Sequence, residues 1–253
     1  MGEFLGSPLI GSEHGASVDN LSWLIHLLMA VLFVGWLVYF GIVLFKFRAN
    51  RHPRANPEGV KHHASNYIEI AVAVIEAVLL GALAIPLWRT AVAAWPEEKD
   101  STVIGVMGRQ FNWTAHYAGP DGVFGKKDPK LVSASDPFGI DRQSPGAADD
   151  VVVVNDFVVP VNKPVIAKIT SQDVIHSFAV RPMRVTQDAI PGLMIPVHFK
   201  PIRTGTNLIN CVQLCGNSHY AMKGTLAVVT QKEFDDWLAS KSKTAPKAPV
   251  NYE

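Results

Sequence analysis

LSWLIHLLMAVLFVGWLVYFGIVLF, Leu21 to Phe45, carries no Asp, Glu, Lys or Arg in 25 residues. As a helix rising about 1.5 Å per residue, it exceeds the roughly 30 Å hydrocarbon core of a bilayer, so it reads as a transmembrane span. Trp23 near one end and Lys46, Phe47 and Arg48 at the other suit the interface, where aromatic rings and long cations reach the headgroups. A cleavable signal sequence would be shorter, nearer Met1 and preceded by basic residues.

Working outward, YIEIAVAVIEAVLLGALAIPLWRTAVAAW, Tyr67 to Trp95, is long enough for a second crossing with some tilt. The loop between the runs holds Lys46, Arg48, Arg51, Arg54 and Lys61, whereas the leading tail has Glu3, Glu13 and Asp19 and no Lys or Arg. The positive-inside rule then makes the loop cytoplasmic and sets both termini on the outer face. Two carboxylates lie in the second run. Glu69 sits in its first turn, and Glu76, two turns deeper, must face protein or water because a charge in lipid costs at least about 3 kcal/mol.

The expected organisation is a tail over 1–20, spans over 21–47 and 67–95 joined by a loop over 48–66, an outer domain over 96–240 and a flexible tail over 241–253. A mean hydropathy of +0.16 with 48% hydrophobic residues fits such an anchor. A net charge of +1 gives no footprint for nucleic acid. After Pro96 short β-branched runs (DVVVVNDFVVPV, PVIAKIT, HSFAV, GTLAVVT) bounded by turn residues predict an all-β sandwich or barrel. Residues 119–150 lack periodicity and read as a long ordered loop or lid. QKEFDDWLASK, residues 231–241, reads as a short helix.

Both cysteines of the chain fall in CVQLCGNSHYAM, Cys211 to Met222. Two thiols, His219 and Met222 in one loop form a soft donor set that suits copper. Zinc rarely takes methionine, and a disulfide would leave the histidine and the thioether unexplained. One loop supplies few ligands, so His176, at a strand edge in SQDVIHSFAV, is the expected partner from elsewhere.

DVIHSF, QDAIPG at Gln187–Gly192, the C-x3-C-x3-H-x2-M loop and the two-span anchor ending IPLWR at Arg89 stand in one order. In these the chain resembles subunit II of the haem–copper cytochrome c oxidases, from Leu21 to Trp237. The resemblance implies a Greek-key cupredoxin domain behind a transmembrane helical hairpin, in a bacterial inner (plasma) membrane with the domain on the periplasmic face. It implies a dinuclear copper centre, CuA, bridged by Cys211 and Cys215, with His176 and His219 each on one copper and Met222 and the Gln213 backbone oxygen as weak axial ligands. Electrons would come from cytochrome c, or from a cytochrome c domain in a supercomplex, and pass to haem a in subunit I, where oxygen is reduced with coupled proton translocation.

By the same resemblance Glu69 marks the entrance of a proton pathway, and Phe111 and Trp113 occupy the place of the electron-entry aromatics. Four departures stand out. Phe111 replaces a tryptophan; Gln213 replaces a glutamate that reaches magnesium at the subunit I contact; the outer domain has no acidic excess to steer a basic donor; and Glu76 replaces a proline. The alternative functions are a CuA inlet for a nitric oxide or quinol-linked reductase and a membrane-anchored copper-delivery protein.

Overall fold

The computed structural model describes residues 6–52, 54, 58–59 and 62–243, with backbone alone for 90–93. Glu3 of the leading tail, Lys61 of the basic loop and residues 244–253 of the expected flexible tail lie outside the described residues. The chain forms two compact units, Ser17–Ala94 and a second made of the residues up to Ala16 with those from Trp95 onward.

In the first unit, α1 (Gly15–Lys46) begins six residues ahead of the apolar run. At its end, Arg48 and Arg51 lie over the Phe45 ring at 4.9 and 5.9 Å, with Lys46 over Phe47 at 5.5 Å. These cations cover the last apolar rings while their heads stay in water. The second span holds α2 (Ala64–Val78), a widened turn over Leu79–Ala84 and α3 (Ile85–Ala93). Pro86 explains the widening: it has no N–H to donate, and its ring would strike the carbonyl four residues back in a regular helix. The apolar windows of both spans are 0% buried within the chain, so lipid or other subunits must cover them.

The second unit is a sandwich of two five-stranded sheets. One has the order β3 (Val151–Val154), β2 (Asn112–Tyr117), β1 (Thr102–Arg109), β5 (Val165–Ser171), β8 (Ile195–Phe199). The other runs β4 (Asp156–Pro160), β10 (Lys223–Val229), β9 (Gly205–Cys211), β6 (His176–Val180), β7 (Val185–Ala189). The period-two pattern of each strand turns one set of side chains inward. Thus Trp113, Ala115 and Tyr117 of β2 meet Phe157, Val159 and Phe178 of the facing sheet in one core. The Tyr117 hydroxyl donates to the Val158 carbonyl and accepts from the Val158 N–H, both at 3.0 Å, fastening the sheets together. Burial raises the Tyr117 pKa, which keeps this donor protonated.

Residues 119–150 are ordered, held by a bridge between Lys127 and Ile140, and their Phe138 and Ile140 form a small second core with Met107 and Val152. They cover the outward face of β1 and β2, where His116 points. The segment before α1 also joins this unit. Gly11 N–H donates to the Pro182 carbonyl at 2.8 Å, Ile202 N–H to the Gly11 carbonyl at 2.9 Å, and the buried Ser12 hydroxyl to the Met183 carbonyl at 2.7 Å. The helix α4 (Gln231–Ser242) starts at a Thr230–Glu233 capping box and buries Phe234. It therefore runs into the first residues assigned to the tail.

Candidate metal centre

Strand register builds the site. β6 begins at His176, its neighbour β9 ends at Cys211, and β10, on the other side of β9, begins just after Met222, so three adjacent strands bring ligands to one edge. Val212 N–H donates to the Ser177 carbonyl at 3.0 Å and Cys211 N–H to the Met222 carbonyl at 3.2 Å, locking that alignment. The intervening loop closes on itself through His219 N–H to the Gly216 carbonyl and Met222 N–H to the His219 carbonyl.

All six sequence-predicted donors converge. Cys211 Sγ lies 3.8 Å from Cys215 Sγ, 3.9 Å from His176 Nδ1 and 3.2 Å from the Gln213 carbonyl oxygen. Cys215 Sγ lies 3.5 Å from His219 Nδ1 and 3.7 Å from Met222 Sδ. The sulfurs are free thiols, too far apart for the roughly 2 Å bond of a disulfide. Ligand atoms of His176, Cys211 and Cys215 fall within 4.8 Å of one another, with all three side chains buried. Two soft thiols and a soft thioether with two borderline imidazole nitrogens, joined by one carbonyl oxygen, fit copper.

Burial, reinforced by the neighbouring Cys211 thiol, pushes the Cys215 thiol up to about 12. Without a cation Cys215 stays protonated, so a metal that enters there must displace its proton.

Behind the ligands lies a support that the sequence did not announce. His176 Nε2 meets Asp173 Oδ1 at 2.8 Å, which turns Nδ1 toward the sulfurs. Burial alone would raise the Asp173 carboxyl, but hydrogen bonds from Gln110 N–H, His176 and Val174 N–H outweigh it and hold the carboxyl below its usual range. Gly108 makes room for the imidazole: a Cβ there would lie 2.9 Å from His176 Cδ2 and 3.0 Å from Trp113 Cζ3. Asp173 stands three residues before His176, which is the one sequence signal that could have exposed it. Gly108 and Gln110 offered none.

The other predicted residues fall elsewhere. Phe111 is half-buried in the turn between β1 and β2, against Gly216. Trp113 is 0% exposed in the core, its ring 6.0 Å from that of His176. The Gln213 side chain is exposed. Glu69 and Glu76 are on α2, seven residues apart and so on one helix face.

A sandwich with a soft metal-ligand loop at one edge, carried by two apolar helices, defines a membrane-anchored cupredoxin-like protein. The model of the periplasmic domain of cytochrome c oxidase subunit II matches residues 102–229. The chain is 31% identical over 210 residues to an alternative cytochrome c oxidase subunit 2 of Bradyrhizobium diazoefficiens, covering 82% of this chain and 74% of that one. It is 34% identical over 215 residues to a probable cytochrome c oxidase subunit 2 of Rickettsia bellii, covering 85% and 75%. Among solved structures, the periplasmic domain of subunit II of cytochrome oxidase from Bradyrhizobium japonicum is similar at 33% identity and a TM-score of 0.43, covering 59% of this chain and 97% of that one. The chain belongs to the cytochrome c oxidase subunit II family, and with it to an oxidoreductase complex of the haem–copper type.

Proposed function

We propose that the chain is the electron inlet of a respiratory haem–copper oxidase, taking electrons from cytochrome c at a dinuclear CuA centre and delivering them to haem a in subunit I. The observation that carries this reading is the convergence of two imidazole nitrogens, a thioether and a backbone carbonyl on two adjacent thiols. Cys211, Cys215, His176, His219, Met222 and the Gln213 carbonyl would hold the ions. When bound, the pair supplies one-electron chemistry with its charge shared over two ions. The protein's part is to hold the ligands still. Asp173 fixes one imidazole, and strand register fixes the sulfurs. A copper-delivery protein holding a single Cu(I) would not require two thiols together with two imidazoles and a thioether.

The pairing of Gly11 and Ser12 with the sandwich supports the two-span topology. Both ends of the hairpin are tied to one domain, so the number of crossings between them is even. With the basic loop on the cytoplasmic side, the sandwich faces the periplasm of a bacterial inner membrane. Glu69 would serve as the proton-entry group for subunit I. Magnesium at the subunit I contact would find in Gln213 only a neutral amide, a weaker donor for a hard cation than a carboxylate. Phe111 lies at the surface beside the copper loop and would be the first aromatic contact for the donor, with Trp113 behind it in the core.

Loading the full-length chain in detergent with copper tests the reading. A purple protein with two coppers per chain and one electron spin shared between them is expected; a colourless protein with a single copper would overturn it. Within the assembled oxidase, Glu69→Gln should slow turnover and leave the copper spectrum untouched. Full turnover in that variant removes the proton-entry role.

A further inference from the structure

The two halves of the copper site come from separate stretches of chain. His176 with Asp173 belongs to the approach to β6, and Cys215 with His219 and Met222 belongs to the loop between β9 and β10. Cys211 and its strand join them at the base. At the rim the connection runs through one residue of a third stretch, the turn between β1 and β2.

Gln110 reaches both halves. Its backbone N–H donates to Asp173 Oδ2 at 2.8 Å, and the other oxygen of that carboxylate holds His176 Nε2 at 2.8 Å. Its side-chain amide donates through Nε2 to the Cys215 carbonyl at 2.5 Å. Gly216, at φ +134°, permits this approach. A Cβ there would meet Gln110 Nε2 at 2.7 Å and the Phe111 ring at 3.1 Å, so the loop lies against the turn without a side chain between them.

We propose that Gln110 is a positioning residue for the copper centre, a clamp that sets the distance between the His176 half and the Cys215 half of the ligand set. The proposal rests on the copper reading above. The amide contributes no ligand of its own; it holds the carbonyl of a ligating residue while the adjacent backbone holds the orienting carboxylate of another. Such outer partners of metal ligands change metal affinity by about 10- to 100-fold when removed. Gln110 is exposed and its side chain is absent from the sandwich core, so substituting it should leave folding intact.

The experiment uses the full chain in detergent, copper-loaded, as wild type, Gln110→Leu and Gln110→Glu. Leucine keeps bulk and loses the donor. Glutamate keeps length and presents oxygens to a carbonyl oxygen. Both variants should retain two coppers and the wild-type thermal midpoint. Both should also release copper to a chelator about tenfold faster and show unequal copper hyperfine couplings in the electron spin resonance spectrum, with a shifted midpoint potential. Copper release, spectrum and potential all equal to wild type would overturn the clamp, as would a lowered thermal midpoint with an unchanged spectrum. If the wild type itself takes up no copper pair, the copper reading fails and not the clamp alone.

Discussion

His176 and His116 are both 0% exposed, and each presents Nε2 to a carboxylate at 2.8 Å, Asp173 for the first and Asp150 for the second. They differ in what the other nitrogen meets. His176 Nδ1 faces the Cys211 thiol at 3.9 Å with a second thiol behind it. His116 Nδ1 meets no hydrogen-bond partner among the described residues, and its ring lies between Phe124 and Phe138, at 4.9 and 5.2 Å, beneath residues 119–150. One unit of imidazole and carboxylate thus does two jobs. With a donor cluster on the open side the carboxylate would orient a ligand of the proposed copper centre; with phenyl rings there it holds a loop onto a sheet.

The comparison breaks hardest at the sulfurs. Cys215→Ser should remove the copper pair and its spectrum completely, while His176 keeps its bond to Asp173 and becomes a histidine of the His116 kind. Absorption and spin resonance of the copper-loaded chain decide it, and an unchanged colour would refute the bridging role.

The carboxylates separate next. Asp150 is 0% exposed, accepts from His116 and from Gly125 N–H, and its backbone carbonyl accepts from Arg142. Asp150→Ala should cost about 3 kcal/mol of stability, because it strands a buried partner, and copper binding should stay as it was. Asp173 keeps 29% of its side chain exposed, so water can replace part of what it supplies and Asp173→Ala should cost less stability than Asp150→Ala while weakening copper binding about 10- to 100-fold. Chemical denaturation and competitive chelation, run on both variants, should give opposite rankings.

Which of these units could be read from the sequence follows from chain distance. Cys211, Cys215, His219 and Met222 crowd into twelve residues, and their types name a soft metal before any fold is known. The apolar runs and the β-branched strands were equally legible, since burial in lipid and in a sandwich impose different periods. His116 and Asp150 are 34 residues apart, joined only because an aperiodic insertion folds back over β2, and no local pattern encodes that. The Gly11–Glu13 segment was missed for a similar reason. Its backbone bonds to Pro182, Lys200 and Ile202, with the Ser12 hydroxyl on Met183 and the Glu13–Lys200 pair, reach partners far along the chain that no local pattern names.

Acid should act on His116. Burial lowers its pKa below the ordinary 6.5, against the opposing pull of Asp150. The unfolded chain then binds a proton near pH 6.5 that the folded chain refuses, so stability is full above that pH and declines as pH falls below it. Melting curves of the copper-free chain between pH 7 and 5 should show the decline, and His116→Phe should flatten it. An identical slope in that variant would remove His116 from the account.

The smallest effect is expected at Met222, where the two environments come closest to exchanging character. Its Sδ lies 3.7 Å from Cys215 Sγ, and the side chain is 2% exposed, packed with the core as Phe138 is packed over His116. Met222→Leu conserves volume, so the cost in folding should be under about 1.5 kcal/mol. A thioether is a weak donor that tunes a copper site without building it, so in the proposed centre two coppers should remain and the midpoint potential should move. Spectroelectrochemical titration of the loaded chain measures this directly. An unchanged potential would make Met222 to the copper pair what Phe138 is to His116, an apolar wall with no part in the chemistry.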